Sequence, residues 1–128
     1  MKRIVKAASP LIALFAFGAA SAVVAAPDGL AKALAGRTAG KPVSCINQKS
    51  IDSSTIVDGA IIYRESAGRW YVNSPDKGRC TILKPDRQLV THTTGTQLCR
   101  LDNVRVVDLV SHMEYGSCTL GDFVPYTK

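Results

Sequence analysis

A chain of 128 residues with 16 basic and 10 acidic side chains has room for one small domain and not for two. Three of the cations, Lys2, Arg3 and Lys6, precede an apolar run, so the rest of the chain carries 13 basic against 10 acidic residues. These are interspersed, with Lys77, Arg79, Lys84 and Arg87 set against Asp76 and Asp86, which describes a solvated surface and argues against a nucleic-acid partner.

Residues 1–25 read as a secretory signal peptide: a basic start, an apolar stretch over 11–20, and small residues around Ala25 and Ala26. The apolar stretch is about half of the roughly 20 residues that a membrane span requires. No membrane span is therefore expected after signal removal, and the expected location is periplasmic or secreted. Residues 26–42 are rich in Ala, Gly and Leu and are read as a linker or a short helix. In the helical reading Asp28 caps it, Leu30, Ala31 and Leu34 share one face, and Gly36 ends it.

Residues 43–128 are the expected domain, built from short β-prone runs. A strand over 43–46 is followed by Thr55-Ile56-Val57, the turn dipeptide Asp58-Gly59, and Ala60-Ile61-Ile62-Tyr63. Asp-Gly tolerates the positive φ angles of a tight hairpin turn. Residues 69–73 return as a third strand after Ser66-Ala67-Gly68, giving an antiparallel meander. Pro75 opens the next turn, Cys80-Thr81-Ile82-Leu83 is a brief apolar piece, and 88–93 is another strand. The run over 104–110 is the most apolar and reads as a central strand. Residues 117–120 and 123–126 close the chain, with Pro125 placing that last strand at an edge or an end. The fold class expected from this spacing is mainly β, a small antiparallel sandwich or partly open barrel of six to eight short strands.

Four cysteines after an export signal, in a domain near the lower size limit for a self-sufficient core, point to two disulfides. Cys45, Cys80, Cys99 and Cys118 lack the close pairing of a zinc site, so no metal and no cofactor are expected. The expected connectivity is Cys80 with Cys99, closing one local segment, and Cys45 with Cys118, joining the first and last strands so that the sheet hides its edges. Cys45 with Cys80 and Cys99 with Cys118 is the alternative.

No catalytic residues are assigned. His92, Asp102 and Ser111 are the residue types of a hydrolytic triad, but no Gly-x-Ser-x-Gly elbow accompanies them. A cysteine nucleophile beside His92 or His112 would need a free thiolate, which an even number of exported cysteines argues against. Arg100 and Asp102 read as a surface ion pair. Trp70, Tyr71 and Tyr63 lie in neighbouring strands and form the candidate binding surface, because a sheet covered on one side cannot bury both Trp70 and Tyr71.

The order Cys45-Ile46, Ile51, the Ile-rich hairpin, Tyr71, Cys80, Cys99-Arg100-Leu101-Asp102 and Cys118-Thr119-Leu120-Gly121 resembles a family of small exported proteobacterial proteins catalogued as a domain of unknown function. The resemblance implies a disulfide-containing, mostly β fold in the envelope and no activity. Leu101 stands where that family typically has glycine, which argues against a tight turn of positive φ there. The function expected from all this is that of a non-enzymatic envelope protein, structural or binding an envelope protein or component. A small hydrolase or hydrolase inhibitor is the alternative.

Overall fold

The computed structural model describes residues 29–128; residues 1–25, where a signal peptide is expected, and Asp28, the expected helix cap, lie outside the described residues. A one-turn-and-a-half helix, α1 (Gly29–Ala33), precedes ten strands: β1 (Thr38–Ala39), β2 (Cys45–Asn47), β3 (Ser53–Val57), β4 (Ala60–Arg64), β5 (Arg69–Asn73), β6 (Arg87–Thr91), β7 (Gln97–Cys99), β8 (Asn103–Asp108), β9 (Glu114–Thr119) and β10 (Phe123–Thr127). They form a five-stranded antiparallel sheet in the order β1-β10-β5-β4-β3, a three-stranded sheet β6-β8-β9, and the small pair β2-β7. The fold is mainly β, as expected, and is no closed barrel.

The meander is the hairpin anticipated at Asp58-Gly59. Both residues have positive φ, 48° and 76°, the primed-turn geometry that matches strand twist. Period-2 alternation then sorts the side chains. Ile56, Ile61, Tyr63 and Phe123 face the three-stranded sheet, where they meet Val104, Val106, Leu98 and Leu120 in the main core. Ala60, Ile62 and Val72 point the other way and are covered by Leu30, Ala33 and Leu34 of the helical segment. With both faces covered, β4 is apolar at four consecutive positions.

The N-terminal helix is thus ordered by tertiary contact, since a helix this short has little stability alone. Asp58 from the hairpin turn supplies its cap, accepting the Leu30 N–H at 2.9 Å, and Gly36 terminates the segment at φ 78°. Pro125 is not at a sheet edge: β10 lies between β5 and the two-residue β1. The Pro125 carbonyl faces the β1 side, where it accepts from Gly40 N at 2.7 Å, so the N–H that proline lacks is missing only toward the short β1 segment and the ladder with β5 is untouched.

The cysteines are joined as Cys45–Cys99 and Cys80–Cys118, neither of the two pairings expected. Cys80 and Cys99 are not the ends of one local segment, because β6 leaves between them to pair with β8. Cys45 sits directly opposite Cys99 in the β2-β7 pair, while the last strand takes β1 and β5 as neighbours instead of β2.

The turn at residues 99–102 also departs from expectation. Leu101 has φ 72°, held there by Leu101 N to Leu120 O at 2.9 Å, Leu120 N to Asp102 O at 2.8 Å and Asp102 N to Cys99 O at 3.2 Å. Three bonds hold the backbone in a region that disfavours a Cβ by roughly 1–2 kcal/mol. The Leu101 side chain is largely exposed and contributes little packing in return. Leu101→Gly is expected to stabilise the protein by about 0.5–1 kcal/mol after the extra entropy of glycine in the unfolded chain is subtracted. Urea denaturation measures it, and a fall in midpoint would contradict the account.

Candidate functional site

The gap in the sandwich lies where β3, one edge of the large sheet, comes near β6, one edge of the three-stranded sheet. A cleft of about 310 Å³ opens there. Ser53 and Ser54 of β3 line one side, and Leu89 and Thr91 of β6 line the other. Tyr63 and Leu98, only 5% and 1% exposed, are its most deeply buried lining residues. Gln48, Ile51 and Asp52 complete the wall. The segment Gln48–Ser50 is fixed as a single 3-10 turn by the Asn47 side chain accepting Lys49 N at 3.0 Å, and Gln48 is held to Thr93 at 2.9 Å.

Tyr63 is the unusual member of this set. Its ring packs edge-on against Phe123 at 5.7 Å, but its buried hydroxyl has no hydrogen-bond partner among the described residues. Burial pushes the phenol pKa up, so the group stays protonated and able to donate at any physiological pH. A buried hydroxyl left unpaired costs about 1–3 kcal/mol. Among the described residues the lining includes one acid, Asp52, and no cation, a setting suited to a neutral ligand group and unfavourable to an anion.

The three aromatic residues singled out from sequence do not form one platform. Tyr63 is in the main core and Tyr71 packs against the same core, while Trp70 lies on the opposite face of the sheet with the residues under the helix. Both Trp70 and Tyr71 are half-buried, because the sheet is covered on both sides. The Trp70 ring is stacked by Arg37 at 3.4 Å and approached by Arg64 at 4.7 Å, and Arg64 also donates to Thr55. Its face is occupied by the protein's own guanidinium groups.

Neither are His92, Asp102 and Ser111 brought together. Asp102 and His92 line one shallow hollow, but the Asp102 carboxylate accepts Cys99 N at 2.8 Å and fixes the turn. Ser111 lies beyond the other end of β8, across extended chain rising roughly 20 Å. Arg100 pairs at 3.6 Å with Asp122 and not with Asp102. Asp76, Cys80 and Cys118 bring potential ligand atoms together, but both sulfurs are spent in a disulfide and cannot ligate as thiolates.

A second feature stands at the far end of β8. The turn to β9 exposes Leu109, Val110 and Met113, where the sequence pattern suggests a buried strand continuing to residue 110. The chain turns early because the Asp108 carboxylate accepts Val110 N at 2.9 Å and Ser111 N at 2.8 Å. Tyr115 donates its hydroxyl to the other oxygen at 3.1 Å. These donors, the Ser111 N–H first, hold the Asp108 pKa down at about 2. A carboxylate whose folded pKa is depressed stabilises the fold above its unfolded value near 3.8 and loses that contribution as pH falls through about 2. NMR titration should give an Asp108 midpoint of about 2, with the turn amides intact at mildly acidic pH. A midpoint at the ordinary aspartate value would show that the turn bonds do not persist in solution.

The cleft residues Gln48, Ser53, Ser54, Leu89 and Thr91 were not legible as a site. The one local signal is Ser54, a small polar residue at an inward position of β3 two places before the buried Ile56. Comparison with family models, curated proteins and solved structures returns no match. Among the described residues no helix is long and apolar enough to cross a membrane.

Proposed function

We propose that this is a non-enzymatic binding protein of an oxidising, extracytoplasmic compartment, and that the cleft between β3 and β6 receives an uncharged hydrogen-bonding group of its ligand. The observation that carries the reading is the buried Tyr63 hydroxyl, without a partner among the described residues, on a side chain that lines a cleft whose remaining polar lining is Gln48, Asp52, Ser53, Ser54 and Thr91. The lining is more polar than apolar, with Ile51, Leu89 and Leu98 as its apolar members, so a ligand would be held there chiefly by hydrogen bonds. A carbonyl or hydroxyl of the ligand accepting from Tyr63 would recover the desolvation cost of that group. The compartment is supported by two cysteine pairs at disulfide distance and by the export-type N-terminal segment.

Tyr63→Phe separates binding from folding. Removing an unpaired buried hydroxyl is expected to leave stability unchanged or raise it by up to about 1 kcal/mol, while a ligand that uses the hydroxyl loses about tenfold in affinity. N-acetylglucosamine and N-acetylalaninamide serve as neutral amide probes in NMR titrations. Their expected effect is a set of shifts confined to Gln48, Ser54, Thr91 and neighbouring amides, weakened in Tyr63→Phe. Absence of shifts with either probe, or shifts untouched by the substitution, would defeat the assignment.

A further inference from the structure

The β8-β9 turn is built to hold apolar side chains in water. Leu109, Val110 and Met113 are 57, 87 and 67% exposed, and Tyr115 just behind them is 43% exposed. A flexible loop could fold such residues away, but this one is fastened at several points. Besides the Asp108 bonds, Asp108 N donates to Met113 O at 2.8 Å and His112 N to Asp108 O at 3.1 Å. Arg105 grips Glu114 through two bonds of 3.0 and 2.8 Å, and Arg87 stacks on Tyr115 at 3.5 Å. The two acids nearest the tip, Asp108 and Glu114, thus already have donors and need little from solvent.

We infer that this turn is a shallow membrane-contact tip, inserting Leu109, Val110 and Met113 among the acyl chains at a lipid surface. Three properties select lipid over a protein partner. The apolar residues are carried at the end of a hairpin, and none of them lines the cleft beside Tyr63 or the hollow at His92. Their area is far below the roughly 800 Å² per side of a stable protein interface, since even a whole aromatic side chain supplies only about 150–250 Å². Below the apolar tip stand Tyr115 and Arg87, the amphipathic residue types that favour the headgroup level. Arg87 opens β6 directly opposite Asp108, and Lys84 lies in the turn before it, so the two cations at the shoulder of the tip are balanced by Asp86 and Asp108. The contact should therefore rest on the apolar side chains and change little with headgroup charge or salt. The contact is peripheral and reversible.

The test is cosedimentation of the purified protein with vesicles of phosphatidylethanolamine and phosphatidylglycerol. Wild type is expected to bind, and the paired change Val110→Ser with Met113→Ser to lower the partition coefficient at least about tenfold without shifting the denaturation midpoint. A Val110→Trp variant should show a blue shift of its emission on vesicle addition. Failure of wild type to cosediment, equal binding by the serine variant, or no emission shift would each overturn the inference. So would dimerisation of wild type without vesicles that the serine variant abolishes, since the tip would then be a contact between copies of this chain.

Discussion

Non-reducing peptide mapping is expected to return Cys45 linked to Cys99 and Cys80 linked to Cys118, and alanine replacement of either pair to cost about 4 kcal/mol. The chain separations are 54 and 38 residues, and loop-closure entropy varies only slowly with length, so the two losses should be similar. A domain of this size has roughly 5–15 kcal/mol in total, so loss of both bridges should leave it largely unfolded at body temperature. The two pairs differ in what else they hold. Cys45–Cys99 ties together β2 and β7, a three-residue pair whose hydrogen bonds alone could not keep it formed. Cys80–Cys118 fastens the long connection after β5 to the C-terminal end of β9, beside the buried Leu83 and Leu120. Hydrogen exchange in the Cys45→Ala, Cys99→Ala protein should therefore rise first at residues 45–50 and 97–99. Uniform loss of protection instead would show that the small sheet is no separate unit.

The second large effect is expected at Asn73, the one buried polar residue of the core among the described residues, with no exposure. Its amide nitrogen donates to Gly121 O at 2.8 Å and its oxygen accepts Gly121 N at 3.0 Å. The side chain thereby completes both peptide groups of a residue in the connection that leads from β9 into β10. Asn73→Leu removes both bonds while keeping a similar volume, leaving two partly buried backbone groups unpaired, at about 2–4 kcal/mol. Asn73→Asp removes only the donor but places a charge in the core, and should be no better tolerated. Urea denaturation of the leucine variant measures the effect. A change below about 0.5 kcal/mol would mean that water replaces the side chain at Gly121.

Asn73 also illustrates what a linear reading loses. In the run Arg69-Trp70-Tyr71-Val72-Asn73 it looks like the polar end of a strand, and the strand itself is placed correctly. Its role depends on Gly121, 48 residues away, and no local pattern reports that neighbour. The same holds for Tyr63, whose position in an apolar run marks it as buried but says nothing of whether its hydroxyl finds a partner. At Leu101 and at residues 109–110 the local signal misleads outright. A leucine argues against positive φ, and an apolar run argues for a buried strand. In both places side-chain and backbone bonds, to Leu120 in one case and from Asp108 in the other, outweigh a local preference of only about 1–2 kcal/mol.

The sequence by itself determined the β character, the Asp58-Gly59 hairpin and the alternation of faces along β3, β4 and β5, because turn chemistry and a period of two are properties of adjacent residues. It also determined that the four cysteines would pair, since that follows from number and composition. Tertiary structure decided which cysteines meet, which sheet edges stay open, and that a second core forms under the N-terminal helix. Those outcomes depend on which strands become neighbours across long separations. A period of two assigns a side chain to a face of its strand, but it leaves open what that face will pack against. The cleft beside Tyr63 exists only because β3 and β6 both end as edges, a property of the assembled sheets and of no single segment.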